Sequence, residues 1–102
     1  HIAMASQLAD WIDEHPGFER MAPTPLSLVC FRAVPEGLSE AEVDAFNLDL
    51  MERLNARGEV FLSHTKLKDR ISLRLAIGNI RTRPEHVRQA WDAIVGEAKL
   101  RA

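Results

Sequence analysis

The sequence has one cysteine, no tyrosine, four histidines and no long apolar run, and each scarcity removes a class of function. A lone thiol, Cys30, makes an internal disulfide impossible and leaves a Cys-based zinc site without ligands. A reducing, cytoplasmic setting is the expectation that follows. No stretch approaches the ~20 apolar residues that cross a bilayer, and no signal-peptide core is present, so no membrane partner is expected. Charge of either sign is not in excess: 13 Lys and Arg against 15 Asp and Glu give a net −2. The chain therefore lacks the basic balance of a nucleic-acid binder, and without Tyr or paired aromatics it has no base-stacking platform. No Gly-rich phosphate loop and no G-x-S-x-G elbow occurs. The histidines, His1, His15, His64 and His86, have no metal-ligating spacing, so no metal is expected, and His86 reads as a capping or solvated side chain. Lys66 and Lys68 flank a charged turn, an exposed setting unsuited to a Schiff-base lysine. Cys30, inside an apolar strand, reads as an inert buried thiol.

What is present is one small domain. A length of 102 residues with 46% hydrophobic and 27% charged residues supports a single modest core. Residues 1–6, "HIAMAS", read as an expression-tag remnant and are set aside, leaving 7–102 as the domain. From Gln7 to His15 a helical spacing puts Leu8, Trp11 and Ile12 on one face, and "HPG" ends it. "LSLVCFRAV", Leu26–Val34, predicts a strand, with Leu28 and Cys30 on one face and Val29 and Phe31 on the other. Ser39 and Glu42 have the spacing of a capping box, and Val43, Phe46, Leu50 and Leu54 form an apolar stripe ending near Gly58, a C′ glycine. "EVFLSHT" predicts a second strand, "KLKD" a turn, and Arg70–Ile80 a third strand. Thr82 and Glu85 form a second capping box, with Pro84 in the first turn of a helix whose apolar face carries Val87, Ala90, Trp91, Ile94, Val95 and Ala98. The order α-β-α-β-β-α predicts an α+β sandwich: a small, mainly antiparallel sheet with helices on one face.

The third strand raises the functional question. By its pleat Ile71, Leu73, Leu75 and Ile77 face the helices, whereas Ser72, Arg74, Ala76 and Gly78 face away. On the plain reading this second face is wet and Arg74 pairs with a surface acid. Set against that, a first strand apolar on both faces suggests a sheet covered by something outside this chain. An arginine there could offer its planar fork to a carboxylate or a phosphate. A free-standing regulatory or interaction module that dimerises through this sheet face is the alternative from another class.

"LSLVCFR" and "FLSHTKLKDRISLRLAIGNIRTRPEHVRQAWDAI" together resemble the C-terminal small domain of pyridoxal-phosphate-dependent group II amino-acid decarboxylases, in particular the aromatic-L-amino-acid decarboxylase branch. The residues that carry the resemblance are Val29, Phe31 and Arg32; Asn55 and Gly58; Thr65, Leu67 and Asp69; Leu73, Arg74 and Leu75; and Thr82, His86, Val87, Ala90 and Trp91. It runs from about Leu8 to Ala98, and it takes in the aldehyde synthases of the same fold. The resemblance implies a piece of a fold-type I enzyme whose cofactor lysine, ring-stacking histidine and pyridine-nitrogen aspartate lie in a large domain. The family's His-Lys pair is absent here, so no pyridoxal 5′-phosphate held covalently and no catalysis by the fragment alone are expected. The implied partners are that large domain, a second subunit in a full-length homodimer, and an amino-acid substrate. By resemblance, Arg74 contacts the substrate's α-carboxylate.

Overall fold

In a computed structural model, residues 2–22, 28–58, 60–76 and 83–101 are described. The elements are α1 (Ile2–Glu14), β1 (Phe18–Arg20), β2 (Leu28–Ala33), α2 (Glu40–Arg57), β3 (Ser63–Leu67), β4 (Arg70–Ala76) and α3 (Pro84–Arg101). The strands form one antiparallel sheet in the order β1-β2-β4-β3. This is the expected α+β sandwich with one strand more than the sequence suggested. β1 is a three-residue edge strand, too short for alternation to reveal, and its pairing of Phe18 with Ala33 and Arg20 with Phe31 fixes it to β2.

Helix α1 begins at Ile2 rather than Gln7, so residues set aside as a leader lie within it and Ala5 is fully buried. Leu8 and Ile12, one turn apart, continue that buried stripe. Helix α2 starts at the capping box predicted for it. The Ser39 hydroxyl accepts from the Glu42 N–H at 3.2 Å, and Glu42 Oε1 accepts from the Ser39 N–H at 2.9 Å. It ends at Gly58, whose φ of 80° lies where a side chain would be strained. Thr82 of the capping box read with Glu85, the strand residues 77–80 and the first two residues of the Leu26–Val34 strand lie outside the described residues.

One face of the sheet meets the helices. Val29, Phe31, Ala33 and Leu73 join Leu8 and Ile12 of α1, Leu50 and Leu54 of α2, and Val87, Trp91 and Ile94 of α3 in a single core. Phe18 seats its ring edge-on to Trp91, 4.9 Å between centroids, which brings β1 against α3. Helix α2 is also stitched to the strands by side chains that imitate backbone. Buried Asn47 accepts from the Ala33 N–H at 2.8 Å and donates to the Ala33 carbonyl at 3.0 Å. Asn55 makes the same two-way pairing with Leu62, and Asp44 Oδ1 accepts from the Ile71 N–H.

The open sheet face as a candidate site

The register assigns the other face. Cross-strand partners share a face, so Cys30, Arg74 and Ser63 form a row across β2, β4 and β3, with Thr65 beside Ser72 in the next row. The pleat read from the sequence therefore holds: Ile71 and Leu73 are buried on the helix side, and Arg74 stands on the opposite side. Ser72 differs from the expectation of a wet face. It is fully buried, a small side chain between Arg70 and Arg74 along the strand with Thr65 across the ladder. Gly78 lies outside the described residues, and of Ala76 only the backbone is described.

Two arginines of this face contrast. Arg32 is buried and doubly neutralised: Nε donates to Glu19 Oε1, and Nη1 donates to Glu40 Oε2 at 3.1 Å. Burial works against its charge, but the hydrogen bonds and attraction of Glu19 and Glu40 outweigh this and hold its pKa above the ordinary value. Glu40 also meets Arg70 at 3.6 Å, so one carboxylate at the start of α2 ties β2 to β4. Arg74 is only partly exposed, yet it has no hydrogen-bond or ion-pair partner among the described residues. Arg20, Arg53, Arg57 and Arg88 each have a carboxylate, and Arg83, which has none among the described residues, is exposed. Among the described residues no acid pairs with Arg74, and its cross-strand and along-strand neighbours include the Cys30 thiol and the Ser63 and Ser72 hydroxyls.

Cys30 also departs from expectation. Its position beside Arg74 leaves it partly exposed rather than buried, because β2 has no helix on that side. His86 does cap: its Nδ1 accepts from the Arg83 N–H at 3.3 Å, at the start of α3. His15 accepts from the Gly17 N–H through Nδ1 and packs edge-on to Phe18 and Trp91, so its role is structural. No group of three or more His, Cys, Asp or Glu side chains among the described residues could hold a metal ion. Nor is any described helix long and apolar enough to cross a membrane.

The lysines fit no covalently held pyridoxal phosphate. Lys66 and Lys68 are exposed at the β3–β4 hairpin, and Lys99 is exposed beside a groove of about 110 Å³, room for a few waters. The larger hollows, about 750 Å³ beside Arg57 and His86 and about 350 Å³ beside Trp11 and Arg88, contain neither a lysine nor Arg74. The residues sequence reasoning missed are Ser63 and the Glu19–Arg32–Glu40 cluster. Ser63 could have been found from the hairpin register, had the turn been placed at Lys68–Asp69.

Comparison with known proteins bears on this geometry. No family model matches the chain. It is 39% identical over 98 residues to phenylacetaldehyde synthase of Arabidopsis thaliana, across 96% of this chain and 20% of that protein. It is 38% identical over 93 residues to the aromatic-L-amino-acid decarboxylase of Catharanthus roseus, across 91% of this chain and 18% of that protein. The crystal structure of Oryza sativa TDC with PLP and tryptamine superposes with a TM-score of 0.93 at 34% identity, over 98% of this chain and 22% of that one. The chain thus spans about a fifth of the length of the proteins it matches. Its fold matches that of the C-terminal domain of pyridoxal-phosphate-dependent amino-acid decarboxylases. Among such enzymes it is a relative of the aromatic-amino-acid decarboxylases and aldehyde synthases.

Proposed function

We propose that the chain is the C-terminal domain of a pyridoxal-phosphate-dependent enzyme acting on an aromatic amino acid, and that it supplies Arg74 to the substrate's α-carboxylate. The observation that carries this is a partly buried guanidinium without a carboxylate among the described residues, on a sheet face opposite the one the helices cover. A cation held that way is costly unless an anion arrives to meet it. The names of the relatives, decarboxylases and an aldehyde synthase, supply the chemical class of that anion. The guanidinium can give two parallel N–H donors to the two carboxylate oxygens, which binds the amino acid and fixes its orientation.

The cofactor and its lysine belong, on this reading, to the polypeptide that makes up the other four-fifths of such enzymes, and this polypeptide docks on the open face. A full-length cytoplasmic homodimer completes the proposal. A free-standing module that dimerises through the same face is disfavoured by a likeness that runs along 96% of the chain into a much larger enzyme.

Replacement Arg74→Met in the full-length protein is expected to lower kcat/KM for its amino acid by roughly 10- to 100-fold, the range of one charge-assisted contact. Arg74→Lys is expected to fall between, since an ammonium keeps the charge but not the fork. An unchanged kcat/KM in Arg74→Met would remove the role.

A further inference from the structure

We propose that Ser63 is a second donor to the same carboxylate, so that Arg74 and Ser63 together form the cradle; this rests on the role of Arg74 given above. Ser63 lies directly opposite Arg74 in the β3–β4 ladder, which puts the two side chains on one face with Cβ atoms about 5 Å apart. Ser63 is exposed, and among the described residues its hydroxyl has no hydrogen-bond partner, just as the guanidinium has none. Two donors side by side, neither with a partner among the described residues, are complementary to a planar anion.

The chemistry of the row gives the cradle a direction. A carboxylate has about four acceptor sites, and the arginine fork occupies one on each oxygen. A hydroxyl on the β3 flank can serve a further lone pair of one oxygen. The β2 flank offers only the Cys30 thiol, a weak donor. The oxygen on the β3 side therefore receives one bond more than its twin. That asymmetry distinguishes the two oxygens, which a symmetric arginine fork leaves equivalent. Ser72, the other hydroxyl near Arg74, is buried and turned to the Leu73 carbonyl at 3.5 Å, so it is not the donor.

The test uses the full-length protein and an arylpropionate, which keeps the carboxylate and lacks the reacting amine, with its dissociation constant measured by calorimetry. Ser63→Ala is expected to weaken binding roughly three- to tenfold, and Ser63→Thr, which keeps the hydroxyl, to restore it. In the Arg74→Met background Ser63→Ala is expected to add less than twofold, because the two donors act on one anion. For the amino acid itself, Ser63→Ala is expected to raise KM. If Ser63→Ala leaves the arylpropionate constant unchanged while Arg74→Met weakens it, the serine proposal fails and the arginine role stands. If neither substitution matters, the arginine role fails with it. An equal loss from Ser63→Ala in both backgrounds overturns the shared cradle.

Discussion

At the scale of single residues, charge state and burial explain what each polar group does. Arg32 and Arg74 are both arginines in neighbouring strands and on one face. The first is spent on holding β1, β2 and α2 together, whereas the second has no partner among the described residues. The face of Arg74 was legible in the sequence, because a strand alternates with period two whatever its neighbours are. Its lack of a partner was not, since partners come from other strands and from α2, which only folding brings near. Asn47 shows the same limit. It lies on the stripe side of α2, where an apolar residue would serve, and nothing in the helix spacing announces that its amide closes the end of β2. Asn47→Ala would leave the Ala33 N–H and carbonyl unpaired in a dry site. A loss of about 2–4 kcal/mol in chemical unfolding is expected, and a loss below 0.5 kcal/mol would contradict this account.

At the scale of elements, local rules located the ends of α2, and its capping box makes a pH prediction. Glu42 is held below its ordinary value of 4.5, first by the Ser39 backbone N–H and then by the Ser39 hydroxyl. A lowered folded pKa contributes stability that is complete above the unfolded value and fades as pH falls through the folded one. Ser39→Ala, which leaves the Glu42 N–H without its cap, is expected to lower Tm by roughly 4–8 °C at neutral pH. Glu42→Gln removes the titrating carboxylate; its Tm deficit against the wild type is expected to narrow below pH 4.5, and a deficit that widens on acidification would contradict the assignment. The hairpin shows where local rules fell short. The sequence suggested a four-residue turn at Lys66–Asp69, which would set Thr65 against Arg70 and Phe61 against Arg74. The observed turn has only Lys68 and Asp69 between Leu67 and Arg70, both with positive φ, 52° and 63°. Such turns usually advertise themselves with Asn-Gly or Asp-Gly, and Lys-Asp gives no such signal. The two-residue shift replaces an aromatic beside Arg74 with a hydroxyl.

At the scale of the whole molecule, the sheet is finished on one side and open on the other. Cys30 offers a probe of what covers it, being the chain's only thiol, partly exposed and in the central row of the open face. In the isolated chain Cys30 is expected to react with a maleimide within minutes. In the full-length protein, peptide mapping should find it slowed by about tenfold or more, since docking would remove it from water. Equal rates would mean that the face stays open. The sequence by itself determined the helices, the three longer strands, the core-facing side chains of β2 and β4, and the side of the sheet on which Arg74 stands. These follow from periodicity and capping, which act within a few residues. The edge strand β1, the burial of Arg32 and Ser72, the register that sets Ser63 beside Arg74, and the lack of an ion-pair partner for Arg74 among the described residues were decided only by tertiary structure. They depend on pairings between segments far apart in the chain, and no local spacing encodes which of those segments meet.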